Sequence, residues 1–458
     1  MVVQTLKKTA VRTATALPLY RAIPFSSHRD YSAIHYLNRH APSRIPDYIE
    51  TTGRLPDLRY STLHMAAASA FRQGRDELVD RLATRAREYY PEAADIRVIA
   101  ADLAAFRGKY LDGLQEAETA WLLNPDSTDA ARRTARLAGM IDDPERAEVN
   151  GLAALEAFPT TPSVLWAVCK NCRDADQFDR MHTRWRARAY KPDEIALGAR
   201  PMANAAIRAE LFDRAAEIYA EAGLFELHGE GLNSPVKEKQ LRGRGGLSVI
   251  KDLQVVFEKA GVRWFLAAGT ALGIIRDGRP LDHDSDIDVG VFEEDWDRER
   301  IRGAFLDHPN FDFDIPHPGN PKLGLIHRGG ATIDLFNFYR DGDRLYHDGV
   351  FVRWANSAFG LKEHKVGKTI VRLPDNPEQY LTENYGDWKT PDPDFDAFVH
   401  GPNAETKWPR YMAIHRMRRA YKFLRARDFI RARAELAETG ELLHESEAGR
   451  ILAGEMQL

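Results

Sequence analysis

The chain has 458 residues, with 64 Lys and Arg against 68 Asp and Glu, a formal net charge of −4 and 44% hydrophobic residues. This length exceeds one typical core and asks for two or three domains, and the charge balance gives no general attraction for nucleic acid. The longest apolar runs, such as Trp264–Ile275, fall short of the ~20 residues that span a bilayer.

Residues 1–58 read as a basic helical segment. Lys7, Lys8, Arg12, Arg21 and Arg29 stand there with no acid before residue 30, so a transit peptide or membrane-surface segment is the alternative. No signal-peptide core or small-residue cleavage site follows, and secretion is not expected.

Prolines at 91, 125, 159 and 192 recur at spacings of 34, 34 and 33, each closing a similar phrase such as Leu122-Leu-Asn-Pro125 or Glu156-Ala-Phe-Pro159. Aligned on them, Ala86, Ala120, Ala154 and Ala187 fall in one column, and Ala67, Ala101 and Ala135 in another. Small residues at fixed positions let paired helices approach closely, and a proline stops the second helix of each pair. With Phe106-Arg-Gly-Lys-Tyr110 this resembles the tetratricopeptide repeat. Residues 59–230 are therefore expected to form an all-α solenoid that takes a protein partner or serves as a packing scaffold. Inside it, Cys169 and Cys172 form the chain's single CxxC. Without a second pair of ligands it reads as two buried thiols, and so few cysteines fit a reducing cytoplasm.

The next domain, 237–400, is predicted to be mixed α/β. Leu247–Lys259 has helical spacing and Gly261 stops it; Val262–Ala267 is a short buried strand, Gly269-Thr270 a turn, and Ala271–Arg276 a new helix. Strand, glycine, threonine, helix is an order that leaves backbone N–H groups free at a helix start, where an anion can sit. Gly269, Thr270 and Arg276 are accordingly the candidate substrate-binding residues.

Asp286-Ile-Asp-Val-Gly-Val291 follows. With a side-chain period of two, Asp286 and Asp288 leave one face of a strand while Ile287 and Val289 enter the core. Paired carboxylates repel unless a cation neutralises them, and a divalent metal does this with positions left for phosphates. Asp334, in the apolar strand Ala331–Asn337, is the expected third ligand. Asp282, Asp284, Asp286 and Glu293 also occupy calcium-loop positions of an EF-hand, but Ile287 stands where that loop requires glycine.

Gly269-Thr-Ala-Leu-Gly273, Arg276 and Asp284-Ser-Asp-Ile-Asp288 together resemble the LicD/fukutin-like phosphotransferases of the nucleotidyltransferase superfamily. Leu373-Pro-Asp-Asn-Pro-Glu-Gln-Tyr-Leu381, Tyr385-Gly-Asp387 and Pro391 resemble that family's closing motif, so the likeness runs over about 237–395. Where the family commonly carries Pro-Trp-Asp-Asp-Asp, this chain has Asp282-His283-Asp284-Ser285-Asp286, which leaves the metal pair intact and puts the substrate in question. The resemblance implies Mg²⁺ or Mn²⁺ on Asp286, Asp288 and Asp334, a CDP-alcohol donor (choline, ribitol or glycerol) and a glycan acceptor at the cell surface. Asp334 completes the metal shell or accepts the acceptor's proton, Asp284 is a further base candidate, and Tyr385, Gly386 and Trp388 shape the pocket. Two other readings remain at this point: transfer of the nucleotide itself, and a non-catalytic repeat scaffold with a nucleotide-binding domain.

Residues 401–458 read as a helical tail. From Lys407 to Arg433 it carries a run of Arg and Lys against one acid, Asp428, with Met412, Ile414, Met417 and Phe423 interleaved. A basic helix face of this kind would dock on an anionic membrane or glycan, or stand solvated around a helix packed on the catalytic domain. A cytoplasmic protein, peripheral at the inner face of the membrane, is the corresponding expectation.

Overall fold

The computed structural model describes residues 26–55, 58–235, 243–281, 286–317, 319–367 and 369–458. They part into two compact units between Leu137 and Ala138.

The first unit is all helix: α1 (Ser26–His40), α2 (Ile45–Thr52), α3 (Tyr60–Arg72), α4 (Asp76–Tyr89), α5 (Ala94–Phe106), α6 (Tyr110–Leu123) and most of α7 (Thr128–Ala138). Short turns make α3 and α4, and α5 and α6, antiparallel neighbours. Gly74 and Gly108 close these turns at φ of 70° and 69°, a conformation that side-chain-bearing residues avoid. Of the aligned small residues, Ala67, Ala86, Ala101, Ala120, Ala135 and Ala154 are fully buried, whereas Ala187 is exposed.

The second unit begins with five more helices, α8 (Pro144–Ala157), α9 (Pro162–Cys169), α10 (Ala175–Arg186), α11 (Pro192–Arg208) and α12 (Phe212–His228). The all-α region thus extends to residue 228, and its last helices share a compact unit with the sheet. Cys169 and Cys172 are free and buried, and burial pushes the Cys172 thiol up to about 12. The buried-thiol expectation holds.

The mixed α/β part opens with α13 (Gly243–Ala260), four residues earlier than its apolar spacing begins, and Gly261 ends it at φ 65°. Then come β1 (Trp264–Leu266), α14 (Ala268–Asp277), β2 (Asp286–Phe292), α15 (Arg298–Leu306), β3 (Phe311–Phe313), β4 (Leu323–His327), β5 (Thr332–Asp341), β6 (Arg344–Asp348) and β7 (Val352–Ser357). A hairpin of β8 (Leu361–Val366) and β9 (Thr369–Pro374), helix α16 (Pro377–Tyr385) and β10 (Ala404–Thr406) complete it. The main sheet runs β1-β2-β5-β6-β7-β10. Among the described strands only β2 and β5 pair in parallel; β4 runs antiparallel along the first half of β5 and β6 along its second half.

The pleat sorts the side chains. Ile287, Val289, Val291, Ile333 and Leu335 face one way and pack with Val249, Leu253, Val256 and Phe257 of α13. The opposite face carries the carboxylates at one end and, further along the strands, a cluster of Phe265, Phe292, Phe336, Phe338 and Leu345.

The chain ends in α17 (Pro409–Arg425), α18 (Phe429–Ala437) and α19 (Glu447–Glu455). Helix α17 lies against α12, and Tyr421 donates to the Ala196 carbonyl at 2.8 Å. Many of the basic residues of this tail are engaged in ion pairs: Arg410 with Glu445 (2.6 Å), Arg419 with Glu435 (2.8 Å), Arg418 with Asp396 (3.3 Å) and Arg425 with Glu226 (3.7 Å). No helix among the described residues is long and apolar enough to cross a membrane.

Gly290 stands opposite Phe265 in the β1–β2 register, and a Cβ there would sit 2.3 Å from the ring. Gly290→Ala is therefore expected to destabilise the unit by about 1–3 kcal/mol, the usual cost of overpacking. Urea denaturation checks this; an unchanged midpoint would mean that the aromatic cluster yields freely.

Candidate active site

Asp286 and Asp288 leave the same face of β2, and the parallel register sets Asp334 of β5 directly beside Asp288. Oxygens of the three carboxylates lie within 4.8 Å of one another, and all three residues are half-buried. The β-branched residues between them, Ile287, Val289 and Ile333, keep the strands extended and anchored in the core. The three expected ligands are thus brought together.

One cation is already present. Lys322, the residue before β4, forms an ion pair with Asp334 and places its ammonium 5.5 Å from the centre of the Phe336 ring. Burial pulls this ammonium down, but Asp334 and then Asp288 and Asp286 push it further up, so it stays charged. It was not among the site residues expected from the sequence. The one local signal was a lysine opening an apolar strand, and only the β4–β5 register, with Gly324 facing Asp334, brings it to the carboxylates.

The turn before α14 works differently from the expectation. The helix starts at Ala268 rather than Ala271, and Ala268 itself holds φ 39°, strained for a residue with a Cβ. Its N–H donates to the Tyr380 hydroxyl at 3.0 Å. The Gly269 N–H donates to the Asp288 carboxylate at 3.0 Å, and the Asp288 N–H donates to Thr270 Oγ1 at 2.8 Å. Gly269 and Thr270 therefore orient a carboxylate instead of leaving groups free for an anion. Gly269 borders the cavity described below, whereas Thr270 is 1% exposed and does not. Arg276 borders it too, bonded to Asp277 (3.0 Å) and to the Trp388 carbonyl (3.4 Å). Asp284 and His283 lie outside the described residues.

The carboxylates open into a cavity of about 1160 Å³ within the second unit. Near them its wall is Lys322, Phe336, Tyr385 and Trp388, so part of the closing motif lines the cavity. The motif's other contribution is Tyr380, buried in the core, whose hydroxyl meets Ala268. Towards its other end the wall is helical, with Arg200 from α11, Tyr219 from α12, and Arg418 and Lys422 from α17. Arg418 and Lys422 belong to the basic tail expected to dock on an anionic membrane or glycan, whereas Arg200 and Tyr219 were not among the expected residues.

His347 borders the same cavity and is 3% exposed, stacked between Phe338 (4.4 Å) and Trp354 (5.1 Å). Burial, and then the Lys322 charge, pull its imidazole down to about 3. Asp396, at the helical end, would be pushed up by burial. The His415 hydrogen bond and the Arg418 charge outweigh that and hold it well below the usual carboxylate range.

With this geometry in view, residues 261–369 match the family described as LicD/FKTN/FKRP, nucleotidyltransferase domain. The chain is similar to an uncharacterized protein of Rickettsia typhi, 24% identical over 182 residues that make up 38% of this chain and 55% of that protein. It is also similar to the ribitol-5-phosphate transferase FKTN of Homo sapiens, 26% identical over 169 residues, 33% of this chain and 35% of that protein. An uncharacterized protein of Rickettsia prowazekii is 19% identical over 180 residues, 37% of this chain and 64% of that protein. The chain thus spans between about a third and two thirds of the length of these relatives. The part that carries Gly269, Asp286, Asp288, Lys322 and Asp334 is a LicD/FKTN-like domain of the nucleotidyltransferase superfamily, a catalytic transferase domain, and an all-helical region precedes it.

Two measurements follow from this geometry. Tyr380→Phe removes the acceptor for the Ala268 N–H and is expected to cost about 1–2 kcal/mol in urea denaturation; no loss would mean that water takes over the bond. His347 is neutral when folded down to about pH 3, while the unfolded chain takes up its proton near 6.5. Stability is therefore lost as pH falls below 6.5, by about 2 kcal/mol from this group between pH 7 and 5. His347→Phe should flatten the profile by that amount, and an unaltered profile would show the imidazole to be solvated.

Proposed function

We propose that this protein is a metal-dependent phosphotransferase that moves a phospho-alcohol unit from a CDP-activated donor to a glycan of the cell surface, working from the cytoplasm. The observation that carries the reading is the convergence of Asp286, Asp288 and Asp334 at a large cavity with Lys322 beside them. The similarity to a ribitol-5-phosphate transferase supports the phospho-alcohol, and Trp388 and Tyr385 border the cavity. The helices of 59–230 are read as a tetratricopeptide-like array that engages a protein partner.

The donor set fits the cofactor. Three carboxylates offer hard oxygens, and no cysteine or histidine joins the cluster among the described residues, which suits Mg²⁺ or Mn²⁺ and not a soft metal. When bound, the ion supplies positive charge to phosphate oxygens at the site. The chain's own groups do the positioning. Gly269 and Thr270 hold Asp288 through its carboxylate and its N–H, so the ligand does not reorganise as charge develops. Lys322 keeps a fixed ammonium where phosphoryl oxygens would lie. An acceptor hydroxyl attacks the phosphorus of the transferred unit, the bond to the CMP phosphate oxygen breaks, and CMP leaves. The hydroxyl proton passes to a carboxylate: Asp334, if it does not complete the metal shell, or Asp284, which lies outside the described residues.

The test is incubation with a panel of CDP-linked and other NDP-linked donors, divalent metal and glycan acceptors, read by mass spectrometry. An acceptor heavier by one phospho-alcohol, with free CMP, is the expected product; an acceptor carrying CMP would identify nucleotidyl transfer instead. Asp286→Asn and Asp288→Asn should each abolish turnover without loss of fold, and full activity in either would remove the site. In calorimetry, donor affinity should fall at least about tenfold when EDTA replaces the metal, on the order of 1.4 kcal/mol. Equal affinities would take the metal out of the mechanism.

A further inference from the structure

Besides the three carboxylates, the cavity wall carries Arg200, Arg418, Arg419 and Lys422, with Asp392 and Asp396 also lining it, and Arg200 and Arg418 lie near the buried Tyr219. Its volume of about 1160 Å³ exceeds the roughly 300–1000 Å³ that a single small ligand fills, so a metal-bound donor would leave the cationic end vacant.

Two details make that end more than solvated charge. Arg200, half-buried on α11, makes no hydrogen bond or ion pair with any described residue. Tyr219 is 3% exposed, borders the cavity, and its hydroxyl likewise has no hydrogen-bond partner among the described residues. Buried hydroxyls are nearly always hydrogen-bonded, so a donor left open towards a cavity points to a ligand. Both the Arg418 and the Arg200 guanidiniums act electrostatically on this phenol, so the three groups share one neighbourhood. Protein carboxylates do not neutralise it fully. Arg418 is shared between Asp396 (3.3 Å) and His415 (2.9 Å), Arg419 is held by Glu435 (2.8 Å), and Lys422 lies 3.5 Å from Asp394. No carboxylate among the described residues pairs with Arg200.

We propose that Arg200, Tyr219, Arg418 and Lys422 form a second subsite that binds a phosphate group, and that this phosphate belongs to the acceptor. Arginine forks, a phenol and an ammonium drawn from three helices can surround a tetrahedral oxyanion from several directions, which a planar group would not use as fully. The donor's phosphates are placed at the carboxylate end, where the metal belongs, so an anion at the other end is a different one. Assigning it to the acceptor rests on the phosphotransferase reading; the existence of the subsite does not.

The experiment separates the two. Inorganic phosphate is titrated into the full chain by ³¹P NMR or calorimetry with EDTA present throughout, so that the carboxylate end attracts no anion. Saturable binding is expected, weakened about tenfold by Arg200→Gln and by a similar or smaller factor by Tyr219→Phe, and unchanged by Asp288→Asn. Circular dichroism and melting confirm that each variant is folded. Absence of saturable binding, or binding indifferent to both Arg200→Gln and Tyr219→Phe, overturns the subsite even if transfer is observed. In the transfer assay, Arg200→Gln should raise KM for a phosphorylated acceptor and leave KM for the donor unchanged; an equal effect on a phosphate-free acceptor overturns the assignment to the acceptor. If phosphate binds as expected while no donor supports transfer, the phosphotransferase reading falls and the subsite stands.

Discussion

Three carboxylates held within 4.8 Å of one another repel by roughly 3 kcal/mol or more per pair at an effective dielectric of about 20. The parallel pairing of β2 with β5 imposes this, and the surroundings of the site compensate it. Lys322 pairs with Asp334, and the Gly269 N–H donates to Asp288 at the positive end of α14. Three carboxylates converging in this way form a group that could hold a divalent ion.

Holding Asp288 in place draws on distant parts of the chain. The Ala268 backbone takes up a strained left-handed conformation so that Gly269 can reach the carboxylate, and the strain is stabilised by Tyr380, 112 residues further on. The segment Leu373–Leu381 thereby acquires a reason beyond packing: it locks the turn that aims the Asp288 carboxylate. Phe265 over Gly290 serves the same strand from its other end, because only a glycine lets β1 lie close enough for the ring to fill the space.

The helices before the sheet also have a direct part. Compactness divides the described chain at Ala138, so α8 to α12 belong with the sheet, and α11 and α12 supply a wall of the cavity. The tail helix α17 adds the adjoining wall, its arginines divided between internal ion pairs and the cavity. The cavity is therefore lined in part by residues outside the 261–369 match.

What could be read without a structure were the features governed by local periodicity. A two-residue repeat puts Asp286 and Asp288 on one face, a lone acid in an apolar strand marks Asp334, glycines end helices, and aligned alanines mark close helix contacts. These depend on neighbours a few residues away, and the backbone's geometry transmits them faithfully. Gly269 and Thr270 were found by the same reasoning but given the wrong partner, because their hydrogen bonds depend on how β2 lies beside the turn. Tyr380 was visible only as part of the closing motif, and Arg418 and Lys422 only as part of a basic tail; Lys322, Arg200 and Tyr219 had no such signal. A lysine before a strand or an arginine on a helix looks the same in sequence whether it meets solvent, an internal carboxylate or a cavity. Strand register and helix packing, which bring together residues tens to hundreds of positions apart, decided which of these each one met.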